Sequence, residues 1–164
     1  MIIDMLNNIN DMLNDIKWYN LDKKGFLMDN NSIRILLLKK PCIYVYKLTL
    51  GNENELYIGS TLNVVQRIYQ HRYRVKIRTK ELTMYNTRFY SYVIKHGWTN
   101  FTFGIIQYVD FEFDIKSQSN RKKLLQIEQE YLSKYSPFLN VNRAVRFTPT
   151  RKNKLNSVAL AKKL

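Results

Sequence analysis

The 164-residue sequence predicts a small α+β domain: a three-stranded antiparallel sheet flanked by helices in the order β-β-α-α-β-α, with an amphipathic helix before it. Three observations lead there. Two β-branched and aromatic runs, over 43–48 and 56–59, are joined by the polar turn 51–55, which spells a hairpin. Apolar residues recur at helical spacing before, between and after the strands. Finally, a hydrophobic content of 45% in a chain of 164 residues supplies one core and short extensions, and is too apolar for a disordered tail.

Taken in order, Ile2, Met5, Leu6, Ile9, Met12, Leu13 and Ile16 alternate with Asp and Asn at helical spacing, so the chain opens on a helix whose apolar face lies on the main domain. Residues 23–25 and 29–32 read as turns. The hairpin follows from Pro41, and Ser60, Thr61 or Asn63 can cap the basic helix after it. A second helix runs from Asn86 or Thr87 to His96 with Phe89, Tyr92 and Val93 inward, and Gly97 fits the position past its end. A third strand covers 101–109. The last helix spans about 120–134, with Leu124, Leu125, Ile127, Tyr131 and Leu132 as its core, and stops before Pro137. This divides the chain into a helical extension (1–40), a central domain (41–142) and a tail (143–164).

Charge narrows the partner. There are 27 Lys and Arg against 13 Asp and Glu, a net charge of +14, which marks a polyanion as the ligand. The excess is uneven. Residues 41–142 carry net +6 and residues 143–164 net +7, the latter without an acid. Inside the domain, Arg67, Arg72, Arg74, Lys76, Arg78 and Lys80 follow one another with no acid among them. Arg67, His71, Arg74 and Arg78 fall on one helical stripe, while Val65, Ile68 and Tyr69 anchor another side. Such a stripe gains stability from a bound polyanion. A membrane is the weaker partner, because the apolar run Ile35-Leu36-Leu37-Leu38 falls far short of the roughly 20 residues a spanning helix needs. No secretory leader is visible. The single cysteine, Cys42, leaves no internal disulfide and fits a reducing compartment, and two histidines, His71 and His96, make no Cys/His metal cluster.

In order along the chain stand Cys42-Ile43-Tyr44; Tyr57-Ile58-Gly59-Ser60-Thr61; Arg67 with His71; His96-Gly97-Trp98 before Phe101-Thr102-Phe103; Glu128-Gln129-Glu130-Tyr131-Leu132; and Pro137 with Asn140. This succession, over about residues 41–142, resembles the GIY-YIG endonucleases. The resemblance implies hydrolysis of DNA phosphodiesters at one Mg2+ or Mn2+ ion. It makes Glu128 the metal ligand, Arg67 the clamp on the scissile phosphate and Tyr44 the general base, with Tyr57 beside it. It implies a role for His71 in proton transfer or tyrosine orientation, and for Asn140 in supporting the site through hydrogen bonds. The chemistry suits those residue types. A carboxylate among apolar neighbours calls for a cation, and a guanidinium bridges two phosphate oxygens without losing its charge. A free phenol titrates near 10, so Tyr44 needs Arg67, the ion and other positive charge to lower its value.

Most of the remaining tyrosines read as core, Tyr46, Tyr69 and Tyr92 among them; Glu130 reads as a solvent-facing acid, and His96 as a helix-end residue. Gly59 leaves room for a close approach at the site. The first glycine of the family's opening motif is Cys42 here, an exchange that regular strand geometry tolerates. DNA contacts are expected from Arg72, Arg74, Lys76, Arg78 and Lys80, and from Arg143, Arg146, Arg151, Lys152 and Lys154 of the tail, which resembles the start of the DNA-binding arms of intron-encoded homing endonucleases. The partner is then double-stranded DNA, met as a monomer or a transient dimer. A silent DNA binder or a maturase acting on intron RNA is the alternative, and a repair or restriction nuclease the third. The tilt toward Asn, Lys, Ile and Tyr is what an AT-rich genome encodes, which points to an organelle, a mitochondrion first, or to some phages and viruses.

Overall fold

A computed structural model describes residues 10–28, 40–78, 87–111 and 117–141. It is an α+β structure with an antiparallel sheet of four strands: β1 (Trp18–Asn20), β2 (Cys42–Leu50), β3 (Glu53–Thr61) and β4 (Phe101–Tyr108), in the spatial order β1-β4-β2-β3. Helices α1 (Val64–Arg78), α2 (Thr87–His96) and α3 (Gln118–Tyr135) cover it. From Cys42 onward the element order is the one the periodicities predict. The fourth strand is the difference. β1 pairs with β4 through Trp18↔Gly104 and Tyr19↔Phe103, so residues before 40 complete the sheet itself. Three residues are too few to show a period of two, and only the unpaired edge of β4 selects them as a strand.

β2 sits in the middle and is covered on both faces, which is why it reads as an unbroken run of large residues. Its alternation divides the core. Cys42, Tyr44, Tyr46 and Leu48 point toward α1 and α2, packing with Val64, Ile68, Val75, Phe89, Tyr90 and Trp98. Ile43 and Val45, with Leu56 and Ile58 of β3, meet Leu124, Leu132 and Tyr135 of α3 on the other face. Residues 10–14 are helical, and Leu13 packs into that second cluster, while Leu21 and Leu27 join the first. The expected helix ends two residues earlier than its apolar spacing predicts, in a turn at 15–16; its first nine residues, the turn at 29–32, the apolar run 35–38 and the whole tail 143–164 lie outside the described residues. Among the described residues no helix is long and apolar enough to cross a membrane.

Local chemistry sets the ends of the helices. Asn63 caps α1, its side chain accepting from the Gln66 amide at 3.1 Å, and Thr61 holds Asn63 in place. Ser117 caps α3 by accepting from the Asn120 amide, and Ser136 closes it in the left-handed conformation before Pro137. Gly97 ends α2 at φ 81°, donating to the Val93 carbonyl at 2.7 Å. β3 is an edge strand, and the chain covers that edge itself. Leu139 donates to the Leu56 carbonyl at 2.9 Å, and the Asn140 amide both accepts from the Ile58 N–H at 2.9 Å and donates to the Ile58 carbonyl at 2.8 Å.

Candidate functional site

The site gathers where β3 runs out into α1. Tyr44 and Gly59 are cross-strand partners in the β2–β3 register, and the missing Gly59 side chain leaves the space that the Tyr44 phenol fills. A Cβ there would stand 2.5 Å from the phenolic oxygen. That oxygen lies 2.6 Å from Nε2 of His71, one helical turn past Arg67, and Nδ1 of His71 lies 2.9 Å from the hydroxyl of Tyr90 on α2. Tyr57, paired across the hairpin with Tyr46, hydrogen-bonds the Tyr44 hydroxyl and stacks on Phe89 at 4.2 Å between centroids. A chain of hydrogen bonds thus runs Tyr57–Tyr44–His71–Tyr90.

It is a buried chain. Tyr44, His71 and Tyr90 are 2%, 1% and 0% exposed, and Tyr57, at 8%, is the member nearest solvent. Burial decides the acidities. The Tyr44 phenol is pushed well above its ordinary value by desolvation and then by Tyr57; Arg67 pulls it down, as its position predicts, but does not prevail over burial. Desolvation, with Arg67 and Arg74 nearby, holds His71 well below the usual imidazole range, so it is neutral at pH 7. The expected lowering of the tyrosine is therefore reversed in the protein alone.

Glu128 on α3 reaches the same end of β3 from the opposite face of the sheet. It is half-buried, and desolvation raises its carboxyl to about 7, against the pull of Arg67 and of the Ser60 hydroxyl and amide that hydrogen-bond it. Glu130, two residues on, is exposed, as its position predicts. Arg67 is held in its charged form: burial works against it, and the phenols of Tyr44 and Tyr57 and the Glu128 carboxylate outweigh that. Its Nε is buried with no hydrogen-bond partner among the described residues, a costly state for a cationic donor. Arg67 and Ser60 line a cleft of about 390 Å³ between the start of α1 and α3, together with Asn63, Gln66, Gln70 and Arg121. Among the described residues no three Asp, Glu, His or Cys side chains converge as a metal cluster. The carboxylate of Glu128 and the hydroxyl of Ser60 form a sparse oxygen set, the donor chemistry that suits a magnesium-sized ion keeping most of its waters. No known protein family, curated protein or solved structure matches this chain.

Other expected residues separate here. Arg67, His71 and Arg74 do share a side of α1, but it turns inward beside the buried Val64, Ile68 and Val75, so the stripe lines the interior of the site instead of lying open. Tyr69 is 55% exposed, not core, because it lies away from that side, edge-on to Phe26. Arg72 is half-buried, its Nε donating to the Lys24 carbonyl and its guanidinium over the Phe26 ring. Lys76 is exposed. Arg78 closes α1, while Lys80, Arg143, Arg146, Arg151, Lys152 and Lys154 lie outside the described residues, as does the side chain of Arg78. Cys42 is in extended strand paired with Thr61 and Tyr108, and burial pushes its thiol up to about 12, so it is an inert core residue. Asn140 acts on the backbone of β3, next to Gly59. Sequence reasoning missed Tyr90 and Ser60. Nothing in a chain with 12 tyrosines singles out Tyr90, and Ser60 registers only as a possible cap.

Proposed function

We propose that the protein is a metal-dependent DNA endonuclease of the GIY-YIG kind, hydrolysing phosphodiester bonds. One observation carries the reading: a half-buried, charged Arg67, whose buried Nε has no partner among the described residues, lines a cleft with Ser60, the residue that hydrogen-bonds Glu128, an arrangement suited to a phosphate diester. Glu128, with Ser60, would hold one Mg2+ or Mn2+, which supplies charge neutralisation at the phosphate and its leaving oxygen when bound. Arg67 binds and orients the phosphate. His71 bridges the Tyr44 hydroxyl at Nε2 and the Tyr90 hydroxyl at Nδ1, so the buried imidazole fixes where the Tyr44 phenol stands. Tyr57, the most exposed of the four, is the phenol that solvent reaches most readily, and Asn140 braces β3 beside it.

The strongly basic chain favours double-stranded DNA as the substrate, bound as a monomer or transient dimer, and its composition favours an organellar, mitochondrial intron-encoded origin. The deciding experiment is incubation of purified protein and Mg2+ with a plasmid carrying the uninterrupted host gene. Cutting is expected from the wild type and none from Glu128→Gln or Arg67→Ala, both of which still bind DNA. If neither Mg2+ nor Mn2+ supports nicking of any DNA, the enzyme reading is wrong. The burial that raises both Tyr44 and Tyr57 favours a second reading, a silent binder of DNA or of intron RNA. Binding of structured intron RNA in preference to duplex DNA selects it.

A further inference from the structure

A second cleft, of about 600 Å³, lies on another flank of α1, between that helix and the turn over residues 22–26. Lys23, Lys24, Arg72 and Lys76 line it with Tyr69, Tyr73 and Trp98, and among the described residues no acid does. Tyr69 and Tyr73, one helical turn apart, are 55% and 64% exposed, a large aromatic surface to leave in water. The nearest acid on the turn, Asp22, is turned back: its carboxylate accepts from the amides of Lys24 and Phe26 at 2.8 and 3.0 Å.

The cleft is also held rigidly. Gly25, at φ 85°, sits so close to the Trp98 indole that a Cβ would stand 2.8 Å from it. Arg72 bonds the Lys24 carbonyl and covers Phe26, which meets Tyr69 edge-on at 5.6 Å. The two lysines of the turn are therefore anchored beside the two tyrosines of the helix before any ligand arrives. Cations alternating with exposed aromatic faces are what an unpaired nucleic-acid strand needs, since phosphates meet the charges and bases stack on the rings. A duplex offers phosphates but keeps its bases stacked inside.

We propose that this cleft binds unpaired nucleotides of a DNA strand, with bases stacked on Tyr69 and Tyr73 and phosphates on Lys23, Lys24 and Lys76. It deepens the nuclease reading and rests on it: a strand engaged by Arg67 on one flank of α1 is gripped on another where the helix of DNA is opened or frayed.

The test measures binding of a fluorescent oligothymidylate and of a duplex to the full chain, beside plasmid nicking. Tyr69→Ala with Tyr73→Ala is expected to weaken oligothymidylate binding at least about thirtyfold, the lower limit for two lost stacking faces, and to leave duplex affinity within about twofold. The double Phe variant, which keeps both rings, is expected to restore it. Unchanged oligothymidylate affinity in the folded double Ala variant overturns the proposal, and continued nicking in that case leaves the nuclease reading standing. A wild-type chain that nicks and binds duplex but not oligothymidylate overturns it equally. If the same variants lose binding to phosphatidylserine vesicles and not to the oligonucleotide, the ligand is a headgroup and the proposal falls. Absence of binding to any nucleic acid overturns both readings.

Discussion

The phenolic oxygen of Tyr44 occupies the place where a side chain at Gly59 would begin, 2.5 Å from an ideal Cβ, with the ring carbon Cζ at 2.6 Å. Neither strand can move away, because Tyr44 and Gly59 face each other in a hairpin whose outer edge Asn140 holds. Gly59→Ala therefore displaces the phenol from His71. The expected result is a stability loss of about 1–3 kcal/mol, as for overpacking, and loss of nicking beyond what unfolding explains. Thermal melts beside plasmid nicking below the melting temperature check this.

Glu128 gives the pH dependence its sign. Its carboxyl titrates near 7 in the folded chain, above the ordinary carboxylate value, and only the deprotonated form binds a cation. Cation affinity and nicking are thus expected to fall as pH drops through about 7. His71, already neutral there, adds nothing to that limb. For stability the sign is opposite: the folded state holds its proton longer than the unfolded one, so stability from this group declines as pH rises from the ordinary carboxylate range to about 7 and is level above. Without added metal, Glu128→Gln should melt higher than the wild type above about pH 8 and equal to it near pH 4. Equal melting temperatures at both ends would remove the buried carboxylate from the account.

Three buried tyrosines should respond differently to loss of one oxygen. The Tyr46 hydroxyl is buried with no partner among the described residues, so Tyr46→Phe is expected to keep activity and to be neutral or to gain about 1 kcal/mol. Tyr44→Phe removes the hydroxyl bonded to His71 and should abolish nicking.

Tyr90→Phe tests positioning. It leaves Nδ1 of His71 without the Tyr90 hydroxyl, the partner that helps fix which ring nitrogen carries the proton. A drop in kcat of about ten- to a hundredfold is expected, the usual scale for a group that orients another, with KM little changed. Nitrogen NMR of His71 should show the tautomer shifting. An unaltered tautomer with unaltered kcat would make Tyr90 a mere packing residue.

Asn140→Ala strands the N–H and carbonyl of Ile58 on a covered edge. Each lost partner costs about 1–3 kcal/mol when its mate stays buried. The expected outcome is a fall of several degrees in melting temperature and faster amide exchange at Ile58.

How much of this could be read from the residues alone depends on the distance over which each feature acts. Runs of β-branched and aromatic residues placed β2 to β4, and Gly97 and Pro137 placed the ends of α2 and α3, because those effects act between neighbours in the chain. The order of Tyr44, Tyr57, Arg67, His71, Glu128 and Asn140 was equally visible, and the structure brings the first five around one end of β3, with Asn140 bracing that strand. Only the tertiary structure decided which side of α1 is covered, so that Arg67 and His71 turn inward while Tyr69 lies in water. It alone recruited Trp18–Asn20 as a fourth strand, since an edge is a property of the assembled sheet. And it alone set the acidities, for desolvation depends on what crosses over from other elements. An arginine one turn from His71 can be seen in the sequence; the packing that raises Tyr44 in spite of it cannot.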